Sequence, residues 1–89
     1  MEQIWERVGP RRAWSPGGYC VTIRGLEGVE YQEGDIILRP QSEALWGDAG
    51  FGLSARSIEG SAERRAEVIE RIRAGLEFMG QKLQVDDDV

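Results

Sequence analysis

Over the first sixty residues the apolar positions come in short runs cut apart by glycine. The clearest run is Tyr19 to Arg24. Tyr19, Val21 and Ile23 fall on one face and Cys20, Thr22 and Arg24 on the other, the period of two that marks a half-buried strand. Ser15-Pro16-Gly17-Gly18 precedes it as a turn, since proline presets one dihedral and glycine permits positive φ. Gly25-Leu26-Glu27-Gly28 ends it, and Trp5 to Val8 reads as an earlier strand closed by Gly9-Pro10. Val29 to Gln32 and Asp35 to Arg39 flank Glu33-Gly34 and predict a hairpin with a two-residue turn. Pro40 ends its second strand, having no N–H to give to a ladder. The consecutive apolar residues Ile36-Ile37-Leu38 predict a strand covered on both faces. Gln41 to Gly52 reads as a loop of about a dozen residues, carrying Trp46, Phe51 and glycines 47, 50 and 52. A short strand from Leu53 to Ile58 is expected after it.

The period changes after Gly60. Ser61 suits an N-cap, with Glu63 near the positive end of the helix dipole. At about 100° per residue, Ala62, Ile69, Ile72, Leu76, Met79 and Leu83 form one face with Val68 at its edge, predicting one helix over 61–83. Glu67 and Arg71 stand i, i+4 on the outer face. Phe78 falls on the polar side. It requires cover from the chain or a second copy, or it is an exposed contact. Gly75 and Gly80 each weaken a helix by about 1 kcal/mol relative to alanine, and admit close approach of a neighbouring element.

Strands first and a helix afterwards predict an α+β fold. The expected architecture is a small antiparallel sheet of four to five strands, curled toward an open barrel, with one long C-terminal helix packed on it. A single domain over 1–83 is expected, because domains usually run to about 100–200 residues. Residues 84–89, ending in Asp86-Asp87-Asp88-Val89, are expected to be an acidic disordered tail.

Composition narrows function mainly by exclusion. These 89 residues hold no His and one Cys, which excludes a His-based triad, a His-rich metal site and a disulfide within the chain. Ten Arg and one Lys against sixteen acidic residues leave a net charge of −5, which argues against nucleic-acid binding driven by bulk positive charge. No stretch approaches the roughly 20 apolar residues of a membrane span, and the first six residues are too acidic for a signal peptide. With the lone Cys20, this predicts a cytoplasmic protein without membrane contact.

The candidate chemistry is sparse. Cys20 lies inside a strand with no His to act as base, so a structural thiol is expected. The glycines of 47–52 match neither a P-loop nor a dinucleotide fingerprint. No catalytic residue, metal ligand or cofactor is therefore assigned. Charge, by contrast, is unevenly spread. Residues 27–48 carry six acidic residues against Arg39 alone, a local net of −5, which would steer toward a basic partner. Residues 1–24 carry four Arg against two Glu, a local net of +2 beside two Trp.

The leading expectation is a small non-enzymatic module that masks a surface of a larger protein with a basic face, in the manner of inhibitors, immunity proteins and antitoxins. Trp46, Asp48 and Phe51 are the expected contacts, with Glu30, Glu33 and Asp35 supplying charge. The alternative is a nucleotide or nucleic-acid module using Arg7, Arg11, Arg12, Trp14 and Arg24. A chain this short buries only about 60–65% of its unfolded surface. Homodimerisation through the helix at Phe78 or through an edge strand would add burial.

Overall fold

The structure, a computed structural model, describes residues 5–86. Five strands, β1 (Glu6–Arg7), β2 (Arg12–Ser15), β3 (Tyr19–Ile23), β4 (Val29–Glu33) and β5 (Ile36–Leu38), pair antiparallel in sequence order. One helix, α1 (Ala62–Phe78), packs on this sheet, chiefly across β2 and β3. The fold is α+β, and the sheet stays open rather than closing into a barrel.

Alternation decides the two faces of the sheet. Ala13, Val21 and Tyr31 stand opposite one another across β2, β3 and β4 and are fully buried. They meet Val68, Ile72 and Leu76 of α1 in one core. The larger aliphatic side chains among them, Val21, Val68, Ile72 and Leu76, each contribute about 1.5–3 kcal/mol when fully buried. Gly75 lets the helix sit close: a Cβ there would lie 2.7 Å from Val21 Cγ2 and 3.1 Å from the Trp5 ring. The other face carries the row Trp14, Cys20, Gln32 and Ile37, on the side away from the core. Cys20 is nonetheless buried, with its Sγ 3.9 Å from Thr22 Oγ1.

The segment expected to be a loop holds a second sheet. β6 (Ser42–Ala44) pairs antiparallel with β7 (Phe51–Ser54), and β8 (Leu83–Asp86) lies parallel to β7 on its other side. Ser42 joins the sheets: its Oγ accepts from Val29 N at 3.0 Å and donates to the Pro40 carbonyl at 3.1 Å. The strand expected over Leu53 to Ile58 starts earlier, at Phe51, and turns into a 3-10 turn at Ala55–Ser57.

The helix begins as expected, with Ser61 Oγ accepting from Arg64 N at 3.1 Å. It ends sooner than 83. Gly80 takes φ +82, its N–H bonds Glu77 O, and Gln81 N–H bonds Leu76 O, which is the Schellman pattern that stops a helix. Leu83 therefore belongs to a strand, and residues 84–86 are ladder rather than tail, while residues 87–89 lie outside the described residues. Among the described residues no helix is long and apolar enough to cross a membrane.

Two further expectations change. The hairpin turn is Gly34-Asp35, one residue later than expected, because Glu33 pairs with Ile36. Glycine in the first central position suits a two-residue hairpin turn. Ile36 and Ile37 are not covered on both faces. They are 53% and 51% exposed, because β5 ends the sheet and the helix crosses over β2 and β3 instead.

Candidate functional site

The most solvent-facing aromatic of the described chain sits on the β6–β7 hairpin. Leu45 N bonds Gly50 O at 2.8 Å and so extends the ladder beyond Ala44 and Phe51. That leaves Trp46 to Ala49 as the turn, wound as a 3-10 turn over Gly47–Ala49. The turn is pinned from below. Phe51 N bonds Lys82 O at 2.9 Å, and Gly50 lies so near that a Cβ on it would fall 2.2 Å from that oxygen. Trp46 stands on this support 96% exposed, and Asp48 beside it is exposed as well. Phe51, expected as a third contact, is instead 6% exposed and belongs to the core. Alternation along β7 turns Phe51 and Leu53 inward together.

Next to this turn the second sheet is hollow. Glu43, Gly52 and Gln84 stand opposite one another, and glycine contributes no side chain to the middle of the row. The result is a shallow cavity of about 420 Å³ lined by Glu43, Leu45, Gly52, Gln84 and Asp86, among others. Two carboxylates thus border it. Neither Glu43 nor Asp48 has an ion pair among the described residues. Glu43, which sequence reasoning left out of the contact set, stands exposed on β6 of the same hairpin as Trp46 and Asp48. The clue lay in its hairpin position, which the loop reading concealed.

The other acidic candidates are arranged differently. Glu30 is held by Arg39 at 2.9 Å. Glu33 is the hub of a clamp between β4 and α1. It takes Tyr31 Oη–H at 2.5 Å and Arg71 at 2.7 Å on one oxygen, and Arg64 at 3.0 Å on the other. Arg71 also donates to Tyr31 Oη at 3.0 Å and lies 4.5 Å over the Tyr19 ring. Glu67 joins from the helix, 2.6 Å from Arg64 and 3.5 Å from Arg71. The hydrogen bond from Tyr31 and the two guanidinium groups hold the Glu33 carboxyl below its ordinary range. Burial, reinforced by the Glu33 bond, pushes the Tyr31 phenol up to about 12. Glu33 thus serves the fold, and Asp35 alone of this trio is exposed without an ion pair among the described residues.

The basic candidates do not gather into one patch. Arg12 and Trp14 share the uncovered face of the five-stranded sheet, with Arg12 Nε on Thr22 Oγ1 at 3.0 Å. Arg7 pairs with Ala13 and so sits at the opposite face, donating to the Pro10 carbonyl. Arg24 pairs with Glu27 at 3.2 Å, and Arg11 lies near Gly25. Among the described residues Phe78 has cover on one side only: Trp5, which meets Tyr19 edge-on at 5.5 Å, stacks on it at 6.5 Å, and Phe78 stays 44% exposed.

The β6–β7 hairpin therefore offers an exposed indole and Asp48 at its turn and, along its strands, a hollow bordered by Glu43 and by Asp86 of β8, groups that receive cations. An indole face attracts ammonium and guanidinium groups, and carboxylates accept their hydrogen bonds. Among the described residues no group of three or more acidic or thiol side chains could hold a metal ion. Comparison with family models, with curated proteins and with solved structures finds no match for this chain.

Proposed function

We propose that this chain is a non-enzymatic binding module that masks a basic surface of a larger protein, as inhibitors, immunity proteins and antitoxins do. The observation that carries this reading is Trp46, 96% exposed on a turn that the backbone of Lys82 holds in place. A rigid aromatic anchor loses little entropy on binding, and such residues dominate interface energies. Glu43 and Asp48 set the charge of the partner, whose Lys and Arg would be received by Glu43 in the hollow over Gly52 and by the exposed indole and Asp48 at the turn.

The test is capture of partners from the native host with the immobilised chain, followed by affinity measurement on the captured protein. Trp46→Ala is expected to weaken binding by about 30-fold or more, the range of a hot-spot residue. Reversing charge at Glu43 and Asp48 is expected to slow association and to reduce its salt dependence. Binding unchanged in Trp46→Ala would overturn the reading. Titration of labelled oligonucleotides and nucleotides runs beside it as the test of Arg12 and Trp14. Salt-sensitive binding lost in Trp14→Ala would favour the nucleic-acid alternative.

A further inference from the structure

We propose that β5 is a self-complementary edge through which two copies of this chain pair antiparallel about Ile37, joining their five-stranded sheets into one continuous sheet. The pairing uses a surface separate from Trp46 and stands whether or not the reading of that turn holds.

The argument begins with the hairpin. Residues that flank a two-residue turn exchange both backbone hydrogen bonds. Glu33 and Ile36 are that pair, so Ile36 and Leu38 direct their amides at β4. Ile37 between them directs its N–H and C=O to the outside. β5 is the last strand of its sheet, and none of the described hydrogen bonds meets its outer side. Pro40 does not obstruct this edge, because continued alternation places it on the β4 side.

An edge that pairs with its own copy must match itself read backwards. About Ile37 this one does. Ile37 faces Ile37 of the second copy and exchanges two backbone bonds with it. Ile36 faces Leu38, so apolar meets apolar on the helix side of the sheet. One step further out Asp35 faces Arg39, whose Nε holds Glu30 and whose terminal nitrogens would meet the facing carboxylate, so opposite charges close the ladder at both ends. A slip of one residue would set Asp35 against Leu38 or Arg39 against Ile36, leave the other charge opposite Gly34 or Pro40, and turn the helix sides of the two sheets to opposite faces. The Ile36 and Ile37 side chains, each about half exposed, gain cover in this arrangement. A long apolar edge invites unlimited addition. Here the contact is isologous and consumes the edge, while β1 at the other end has two residues before Gly9-Pro10.

Sedimentation of the full chain over a concentration series tests the pairing. The wild type is expected to move toward twice the 10.0 kDa chain mass as concentration rises. Asp35→Arg sets Arg against Arg at both ends, and Arg39→Asp sets Asp against Asp, so each variant alone is expected to stay monomeric. An equimolar mixture restores opposite charges at both ends and is expected to form the heterodimer. Ile37→Pro removes an outward N–H and no bond to β4. It is expected to keep the wild-type circular dichroism and lose the dimer, and Ile37→Lys is expected to do the same. A wild type that stays monomeric at its highest soluble concentration would overturn the proposal. So would a dimer that survives the Ile37 variants, or a mixture no more associated than its components.

Discussion

Gly75 shows how far one missing methyl group reaches. Helix propensity alone ranks alanine above glycine by about 1 kcal/mol in a helix interior. At this position a Cβ would meet Val21 Cβ at 2.9 Å and Val21 Cγ2 at 2.7 Å, inside the tightest packing of the core. Overpacking of that kind costs about 1–3 kcal/mol. Gly75→Ala is therefore expected to destabilise the protein in urea unfolding, and a gain in midpoint would show that the helix can retreat from β3. Trp46 is the opposite case. With 96% of its surface in water it supports no packing, so the Trp46→Ala variant used for binding keeps its stability to within about 0.5 kcal/mol. Phe51, five residues on, is core. Nothing in the local pattern Gly50-Phe51-Gly52 separates the two aromatics, because what buries Phe51 is a register with Ala44 across the hairpin and with Leu83 of β8, distant in sequence.

At the scale of elements, the clamp around Glu33 ties the β4–β5 hairpin to the helix and makes stability depend on pH at both ends. Glu33 has a lowered folded pKa, so its contribution is complete above the unfolded carboxyl pKa and disappears as pH falls through the folded value. Tyr31 has a raised one, so its contribution is complete below pH 10 and is lost as pH rises toward about 12. Thermal melts of Glu33→Gln against wild type are expected to show a loss of about 1–2 kcal/mol at neutral pH that narrows in acid. A constant gap from neutrality to acid would assign the loss to packing instead. The elements differed in how openly they announced themselves. β3 and the start of α1 were legible because alternation and an N-cap are local signals. β6 was hidden, since Ser42-Glu43-Ala44 has no β-branched or aromatic residue and is a strand through its partner β7. β8 carried a signal, Leu83 and Val85 alternating with Gln84 and Asp86, but the acidic residues that follow suggested a tail. The candidate site shows the same limit: Trp46 and Asp48 stand out by residue type and are exposed, whereas the exposed Glu43 and the hollow over Gly52 needed the second sheet.

At the scale of the whole molecule, the described residues form two sheets and one helix, and β8 belongs to the second sheet. Ending the chain after Lys82 would be nearly neutral if 84–89 were a solvated appendage. With β8 in place, truncation removes the partly buried Leu83 and Val85 and strips the ladder from β7. A loss of several degrees in melting temperature is expected, with the Trp46 turn loosened, because Gln84 Nε2 reaches the Ala49 carbonyl at 3.5 Å. An unchanged melting curve would return those residues to the status of a tail. The parallel pairing of β7 with β8 also governs timing. Strands β1 to β5 each meet a neighbour in sequence and can assemble as they emerge, and β6 and β7 do likewise, but β7 waits for the helix and the Schellman turn before its second partner, β8, arrives. Non-local pairings of this kind are slow, because the loop must close before contacts reward it. The stretch Leu83–Asp86 thus acts as a latch on the β6–β7 hairpin, which during synthesis takes its final shape only once that strand is free of the ribosome.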